Sequence, residues 1–517
     1  MVRRGFIKFG GVACHDPVMH EIELKFQVPA ARRAAVDAAV AGRSGAARVR
    51  MQAVYHDTAE RMLAAAGIAL RVRREGRCWV QTLKGATADA MVRTEHNVAR
   101  GSGAAPPTLD PGLHAGTPVG DALLARLDKL PADALGALYR TDLLRRTRTL
   151  RTPHGRVELA FDSGRIQAGG ATLGVCELEI ELLAGSPRAV LYTARRWLPR
   201  FGLWLDVRSK AERGDLLARG EAQSLPRLAG TVTLAPAMSA TLAWQAVLRS
   251  CADQVIANAS QIAAGEHAAE HVHQLRVGLR RLRSAIDLFD RAELDATLDA
   301  AAAALFRQLG DARDAVVLEG EFAADLRAAM HSAGVADAAP PASAASTGAS
   351  PTDVLRATAS QLLLLDLLGA SLPDARTDTS AEAPAPVALK RLLAQRLNRW
   401  HRQVVADAKQ FAALDDASRH RLRKRAKRLR YATEFCSALF EPRAVRRYLR
   451  VLRALQERLG ALSDVLMAME AFARQRDADP RAMFALGWLA ARRAVMIEAA
   501  APELKAFVKV ERFWKRG

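Results

Sequence analysis

The sequence is short of cysteines and of long apolar runs, and each shortage excludes a class of protein. Among its 517 residues are five cysteines, at positions 14, 78, 176, 251 and 436, without the Cys-x-x-Cys spacing typical of zinc sites or redox pairs. Their scatter also argues against a disulfide framework and fits a reducing cytosol. No segment reaches the roughly 18 consecutive apolar residues of a membrane span, and the run at 6–12 is too short for a signal peptide. We therefore expect a soluble, cytoplasmic protein with no membrane partner.

Acidic residues are also in short supply relative to basic ones. The chain has 55 Asp and Glu against 76 Lys and Arg, a formal net charge of +21 and a pI near 10.5. Such an excess predicts an anionic partner. The competing explanation is composition, because Arg and Ala are abundant throughout, as in proteins from GC-rich genomes. The length predicts more than one domain, and the 50% hydrophobic content is enough for real cores.

The stretch at 20–28 alternates charged and apolar residues, which is typical of a strand with two unlike faces. Glu21, Glu23 and Lys25 share one face. A half-buried strand that turns its charged face to water would show the same pattern. What favours another interpretation is that later segments repeat it, at Arg71/Arg73, Lys84, Arg93/Glu95 and Glu177/Glu179/Glu181.

Several strands with one ionic and one apolar face predict a closed antiparallel β-barrel with a charged interior and helices covering its apolar exterior. Stacked carboxylates repel unless cations lie between them. In such an interior the carboxylates would hold a hard divalent cation, and arginines and lysines would hold its anionic ligand.

This ordered set of charged strands resembles the CYTH domain of the triphosphate tunnel metalloenzymes, over about residues 20–215. The family's ExExK signature corresponds to Glu21, Glu23 and Lys25. The resemblance implies Mg²⁺ or Mn²⁺ as cofactor and inorganic tripolyphosphate as substrate. It implies catalytic roles for Glu21, Glu23, Lys25 and Glu95, and metal ligands at Glu21, Glu23, Asp162, Glu177, Glu179 and Glu181. Substrate-binding positions would be Lys25, Arg71, Arg73, Lys84, Arg93, Arg145 and Lys210, although Arg146 and Arg148 compete with Arg145 on the opposite strand face.

The order of patterns predicts four regions. Residues 1–19 are an N-terminal tail, 20–215 the α+β tunnel domain, 216–240 a linker, and 241–515 an all-α helical bundle. Within the tunnel domain, 101–116 is predicted as a loop and 122–130 as a helix. Low-complexity stretches predict mobile loops at 331–352 and 373–388 of the helical domain.

The helical half contains an internal two-fold repeat. The segment beginning at His273 matches the one beginning at His420, a displacement of 420 − 273 = 147. In each copy a histidine and three cations, spaced 3, 4 and 3, form one helix stripe beside an apolar stripe. The stripes comprise His273, Arg276, Arg280 and Arg283, and His420, Arg423, Lys427 and Arg430. A solvated face is the ordinary explanation of one stripe, but two copies favour an anion site.

These stripes resemble the signature of the CHAD domain, the conserved histidine α-helical domain. The resemblance implies binding of long-chain inorganic polyphosphate, and a location in the cytoplasm or at polyphosphate granules. Nucleic acid is not expected, because no aromatic residue is interleaved in either stripe to stack on bases.

Three functions remain open from the sequence. The first is metal-dependent hydrolysis of inorganic triphosphate, as in the bacterial inorganic triphosphatases that share this domain order. The second is a polyphosphate-binding protein with little catalysis. The third is a CYTH enzyme for an organic triphosphate, either a thiamine triphosphatase or an adenylate cyclase.

Overall fold

A computed structural model describes residues 19–43, 45–86, 91–131, 133–291, 293, 295–310, 323–335, 349–372, 387–477 and 479–515. The predicted N-terminal tail and the central parts of both predicted loops lie outside the described residues. The chain divides into two compact units. The first comprises Met1–Arg227 with the helical segments Ile256–His271 and Leu355–Gly369, and the second comprises the remainder.

The first unit is built on a nine-stranded antiparallel sheet. Its strands are β1 (Met19–Gln27), β2 (Arg48–Asp57), β3 (Ile68–Glu75), β4 (Cys78–Ala86), β5 (Val92–Ser102), β6 (Gly136–Thr152), β7 (Gly155–Ala168), β8 (Ala171–Gly185) and β9 (Trp204–Leu205). Its helices are α1 (Arg33–Ala41), α2 (Met62–Ala65), α3 (Pro118–Leu127), α4 (Arg188–Phe201) and α5 (Lys210–Arg219).

The strand pairings run in a circuit. Their order is β5-β4-β3-β2-β6-β7-β8-β1-β9, and β1 also pairs with β5. Because β1 pairs antiparallel with both β8 and β5, each of the strands β1 to β8 has a paired neighbour on both sides. Strand β9 pairs with β1 in addition. The prediction of an antiparallel sheet domain is confirmed.

The two faces of this sheet differ as the alternation predicts. One face carries leucines such as Leu70 and Leu83, which pack with Leu63, Val119 and Leu123 beneath α2 and α3. Because helices cover this apolar face, the charged residues of the same strands lie on the inner face of the circuit.

Three elements of the first unit differ from the sequence expectations. Helix α5 occupies residues predicted in part as linker, and α3 begins at Pro118 rather than at 122 because Thr117 caps it by accepting from the Gly120 N–H. The predicted loop at 101–116 contains a short 3₁₀ helix, Pro111–His114, capped by Asp110. Short capped turns of this kind lack the periodicity by which longer helices are recognised.

The all-helical prediction for the C-terminal part is confirmed in the described residues. The helices are α6 (Ala240–Ala264), α7 (Ala269–Leu288), α8 (Ala296–Gln308), α9 (Ala323–Ser332), α10 (Pro351–Arg356), α11 (Thr358–Ser371), α12 (Val387–Lys409), α13 (Asp416–Cys436), α14 (Pro442–Ala473), α15 (Arg481–Ala499) and α16 (Ala501–Lys509). The ends of both predicted mobile loops were wrong, since α9 extends to 332, α10 starts at 351 and α12 at 387. Of the helices described, none has the length and apolar character to cross a membrane.

The two copies of the repeat lie on α7 and α13, and within the second unit these helices contact each other in a reciprocal way. Arg281 and Arg428 are equivalent, since 428 − 281 = 147. Arg428 donates to Asp287 at 3.1 Å, and the Arg281 guanidinium lies over the Phe435 ring at 5.2 Å. Each copy therefore uses the same arginine to reach the C-terminal part of the other copy's helix.

Candidate active site

Four cations of the inner face form what we call the basic wall: Lys25, Arg71, Arg73 and Lys84. Lys25 comes from β1, Arg71 and Arg73 from β3, and Lys84 from β4. Because side chains alternate between the two faces of a strand, the alternation predicts that each of them lies on the charged face of its own strand. Arg71 donates to the Tyr55 hydroxyl at 2.9 Å. The Nε atoms of Arg71 and Arg73 are buried without a hydrogen-bond partner. An anion on this face would supply the missing acceptors.

Two carboxyls share Lys84 on the same face. Its ammonium lies 2.8 Å from a Glu21 oxygen and 2.8 Å from a Glu95 oxygen. Burial raises the pKa of Glu21 to about 8 against the opposing effect of Lys84, and the nearby Glu95 and Glu23 raise it further. Burial would also raise the pKa of Glu95, but Lys84, a hydrogen bond from Glu21 and the two wall arginines hold it well below its usual range. Burial and the neighbouring carboxylates thus favour the protonated form of Glu21, whereas the surrounding cations favour the ionised form of Glu95.

Ion pairs link the other two cations of the wall to carboxylates. Glu23 contacts Lys25, and Glu75 contacts Arg73. These pairs leave the Nε atoms of Arg71 and Arg73 without an acceptor, so the wall keeps donors that an anion could engage.

A second group, the acidic cluster, lies on β6, β7, β8 and the start of α5. It consists of three carboxylates and three cations: Asp162, Glu177, Glu179, Arg145, Lys210 and Arg213. The three carboxylates offer oxygen atoms within 4.8 Å of one another. Asp162 and Glu177 are 0% exposed, so this concentration of negative charge is fully withdrawn from water.

The cations of the acidic cluster favour the ionised forms of Asp162 and Glu179. Arg145 donates to both oxygens of Asp162 at 2.6 Å and to Glu179 at 2.5 Å. Lys210 lies 2.7 Å from Asp162 and 2.9 Å from Glu179, and also contacts Glu177. Burial would raise the pKa values of Asp162 and Glu179, but Arg145 and Lys210 outweigh it and lower both.

The donor set of the acidic cluster fits a hard divalent metal ion. Three converging carboxylates are oxygen ligands of the type that Mg²⁺ and Mn²⁺ prefer. The oxygens of all three already face Lys210, so an ion bound there would share them with that ammonium. Among the described residues this is the one group of three or more acidic, histidine or cysteine side chains that converges in this way.

Not all of the predicted metal ligands meet there. Glu21 and Glu23 contact Lys84 and Lys25 instead, and Glu181 lies opposite Glu23 and Glu158 in the strand register. Electrostatic interactions nevertheless link the basic wall to the acidic cluster. Burial would raise the pKa of Glu23, but Lys25 and Lys84 lower it overall, and Glu179 of the acidic cluster acts against that lowering. The roles of Glu21, Glu23 and Glu181 as ligands stay predictions.

The parity ambiguity of β6 is resolved by its contacts. Arg145 stands opposite Asp162 in the register, whereas Arg146 lies 3.2 Å from Asp37 of α1 and Arg148 donates to the Ala39 carbonyl at 2.9 Å. Of these three arginines, Arg145 is the one on the inner face. The side chain of Arg93 lies outside the described part of the chain, although its position on β5 is opposite Glu21.

Sequence reasoning missed three contributors. Tyr55, on the inner face of β2, stacks on Tyr139 with ring centroids 4.7 Å apart and borders the basic wall. Arg213 contacts Glu177 from one helical turn beyond Lys210, a spacing that would have signalled a shared side had α5 been predicted. Gln27 continues the β1 alternation, and its amide nitrogen lies 3.5 Å from Glu177.

The cation stripes of α7 and α13 are less uniform than predicted. Arg283 pairs with Asp299 and Arg430 with Glu434, so the last cation of each stripe is neutralised. Arg276 and Arg280 lie over the Phe306 ring, at 4.3 and 5.5 Å. No aromatic residue is interleaved in either stripe, but Phe306 of the neighbouring helix α8 lies beside the first one.

Comparison with known proteins agrees with both domain predictions. Residues 19–214 match the CYTH domain model, and residues 246–473 match the CHAD domain model. The inorganic triphosphatase of Haemophilus influenzae is 30% identical over 166 residues, which are 32% of this chain and 44% of that protein, so less than half of this relative is matched.

Solved structures resemble parts of the chain. The CHAD domain of the plant Ricinus communis is 27% identical with a TM-score of 0.44, covering 56% of this chain and 98% of that one. A putative adenylyl cyclase from Hippeastrum, described as having a dominant triphosphatase activity, is 18% identical with a TM-score of 0.28, covering 40% of this chain and 98% of that one. The two family matches identify the chain as a CYTH domain followed by a CHAD domain.

Proposed function

We propose that the CYTH domain hydrolyses inorganic triphosphate with the help of a divalent metal ion. The observation that carries this proposal is the inner face of the strand circuit, where part-buried cations, two of them with an Nε that lacks an acceptor, stand beside three converging carboxylates. The relative named inorganic triphosphatase supports the same reaction class.

In this proposal the cations bind the substrate and the carboxylates of the acidic cluster bind the metal ion. Lys25, Lys84 and the two wall arginines bind phosphoryl oxygens and orient the chain of phosphates, which is most of what phosphoryl transfer requires of a protein. Asp162, Glu177 and Glu179 would hold the metal ion, which when bound polarises the phosphoryl group and neutralises its developing charge. Glu21, whose protonated form is favoured before substrate binds, shares Lys84 with Glu95 and provides a carboxyl whose proton can be given to or taken from a neighbouring oxygen.

We propose the substrate from the kinds of side chain that contact the basic wall. In the described residues the wall cations Lys25, Arg73 and Lys84 contact carboxyls. Arg71 instead donates to Tyr55, which stacks on Tyr139. Tripolyphosphate has neither base nor sugar and needs only such cations. Phosphate release from tripolyphosphate, ATP and thiamine triphosphate, each with Mg²⁺, with Mn²⁺ and with a chelator, tests the proposal. Metal-dependent release fastest from tripolyphosphate is expected, and a preference for an organic triphosphate or no release at all would contradict it.

We further propose that the CHAD domain binds inorganic polyphosphate through the stripes of α7 and α13. The repetition of the stripe on two helices, with Arg280 on one and Lys427 at the equivalent position of the other, supports this, because a chain anion meets several cations at once. Such binding releases counterions and should weaken steeply as salt rises, as nucleic-acid binding does. Phe306 beside Arg276 and Arg280 makes single-stranded RNA the competitor to exclude.

The test uses the full chain, because the segments 256–271 and 355–369 belong to the first unit and a fragment starting at 240 would carry them without it. Polyphosphate and single-stranded RNA of matched charge are titrated at several salt concentrations. Polyphosphate should bind more tightly, and the variant with alanine at 273, 280, 420 and 427 should lose most of that binding. Equal affinity for RNA, or a variant that binds as before, would refute the proposal.

A further inference from the structure

A chain of buried polar groups extends from the acidic cluster to the helical part of the first unit. The Gln27 amide nitrogen lies 3.5 Å from a Glu177 oxygen and 3.2 Å from an oxygen of Asp206. Both neighbours are carboxylate acceptors, which sets the orientation of this amide. Asp206 is 0% exposed, and it lies outside every contact that we have assigned to substrate or metal.

Asp206 is held from its other side by Arg208. The guanidinium donates to both carboxylate oxygens, Nε at 2.9 Å and a terminal nitrogen at 2.8 Å, a bidentate geometry that fixes the carboxylate in the plane of the arginine. The Asp206 N–H donates to the Lys25 carbonyl at 3.0 Å, which ties this segment to β1. Arg213, which contacts Glu177, also interacts electrostatically with Asp206.

This chain of buried polar groups ends at Gln261 on α6, in the region matched by the CHAD family. The remaining terminal nitrogen of Arg208 donates to the Gln261 side-chain oxygen at 3.1 Å. That oxygen also accepts from the Ser224 N–H and hydroxyl, while the Gln261 amide nitrogen donates to the Glu266 carbonyl at 2.5 Å. Gln261 is 0% exposed, and both its amide oxygen and its amide nitrogen are hydrogen-bonded.

We propose that Asp206 is a positioning residue for the carboxylate of Glu177, and that Gln261 of the CHAD region anchors it through Arg208. Asp206 acts on Glu177 through two donors, Gln27 and Arg213, whose placement depends on its negative charge. Residues behind a metal ligand that orient it in this way commonly change metal affinity by about 10- to 100-fold when removed. The inference rests on the proposed metal site of the acidic cluster.

The test measures Mn²⁺ binding to the full chain without substrate, by electron paramagnetic resonance of the free ion, alongside thermal unfolding and kcat/KM. Asp206→Asn keeps the shape but removes the charge, and should raise the Mn²⁺ Kd by about 10- to 100-fold. Gln261→Ala, one step further away, should raise it by about threefold or more, at the low end of such effects. Gln261→Glu keeps an acceptor for Arg208 and should restore the Kd to within about twofold of wild type even if stability is not restored.

The matched control is Gln254→Ala, which removes another fully buried glutamine from α6. Gln254 contacts Gln274 and Arg281, which do not belong to the chain of polar groups between Gln261 and Glu177. It should lower the unfolding temperature as Gln261→Ala does but leave the Mn²⁺ Kd unchanged. A Kd for Asp206→Asn within twofold of wild type, a Kd for Gln261→Glu as weak as for Gln261→Ala, or no Mn²⁺ binding by the wild type would overturn the inference. A wild-type protein that binds Mn²⁺ but releases no phosphate would instead contradict the proposed function alone.

Discussion

Replacing Arg71 with alanine is the sharpest test of the basic wall. The substitution removes a cation that donates to the Tyr55 hydroxyl and whose Nε is buried without an acceptor. Burial would lower the pKa of Arg71, but Tyr55 and Glu95 outweigh it and raise it, so the side chain is fully charged at every working pH. Its loss therefore deletes a permanent donor to a phosphoryl oxygen.

The expected size follows from the strength of a charge-assisted hydrogen bond. Such bonds contribute about 1.5–3 kcal/mol, which corresponds to a fall in kcat/KM of about 10- to 150-fold at about 1.36 kcal/mol per tenfold. Arg71→Lys retains the charge but not the planar fork and should fall between alanine and wild type. In Arg71→Ala the Tyr55 hydroxyl loses its donor, so the free energy of unfolding should drop by about 1 kcal/mol. Initial rates with tripolyphosphate under saturating metal give kcat/KM, and urea unfolding gives stability.

Arg74 provides the matched control. It is on the same strand but the opposite face, over the Trp79 ring at 5.9 Å, and its Nε too is buried without a partner. Arg74→Ala should lower stability to a similar extent and leave kcat/KM unchanged. If Arg71→Ala keeps kcat/KM within twofold of wild type, or if Arg74→Ala loses as much, the assignment of the inner face as the substrate site is wrong.

Three further predictions address other groups of the first unit. Glu23→Ala should abolish tripolyphosphate turnover with little change in unfolding temperature, and near wild-type kcat at saturating Mg²⁺ would remove Glu23 from the site. Gly214→Ala would place a Cβ 2.3 Å from the Tyr139 ring, so α5 must shift and the protein should lose about 1–3 kcal/mol of stability, measured by urea unfolding. Burial, with His96 beside it, lowers the pKa of His114 to about 4. The unfolded state, with a His pKa near 6.5, then binds more protons, so stability is lost as pH falls from about 6.5 to about 4, by at most about 3 kcal/mol. His114→Gln should flatten that dependence while the exposed His154→Gln does not, and equal slopes would contradict the assignment.

The inner face was predictable because strand geometry is local. Alternation with a period of two places Glu21, Glu23 and Lys25 on one side whatever the rest of the chain does. The same holds for Arg71 with Arg73 and for the three glutamates of β8. Helix periodicity likewise predicted the buried stripe of α7, where Leu275, Leu279 and Leu282 are all 0% exposed.

The partners of these residues were not predictable from local pattern. Which carboxylates converge depends on strand order: β7 and β8 set Asp162 opposite Glu177, whereas β1 sets Glu23 opposite Glu181. The six predicted metal ligands, whose division among ions the sequence left open, therefore lie in more than one group. Helix α5 escaped notice because it is short and contains Gly214, a poor helix former. It forms nevertheless, since Ser209 caps it by accepting from the Glu212 N–H.

The two anion sites proposed for this chain belong to different electrostatic regimes. On the inner face, cations and carboxylates are withdrawn from water and lie within hydrogen-bond distance of each other, so mobile ions screen them little. On α7 and α13 the ionic pairs are partly exposed: Arg283 and Asp299 retain 45% and 32% of their side-chain exposure. Exposed charges are screened beyond about 8 Å at physiological ionic strength, and pairs of that kind contribute at most about 1 kcal/mol. Salt should therefore act chiefly on the affinity for a long polyanion at the stripes, and much less on the affinity of the buried wall for a short one. On the two proposals together, the helical domain would hold a polymeric phosphate loosely and reversibly while the tunnel domain binds a small triphosphate in fixed geometry.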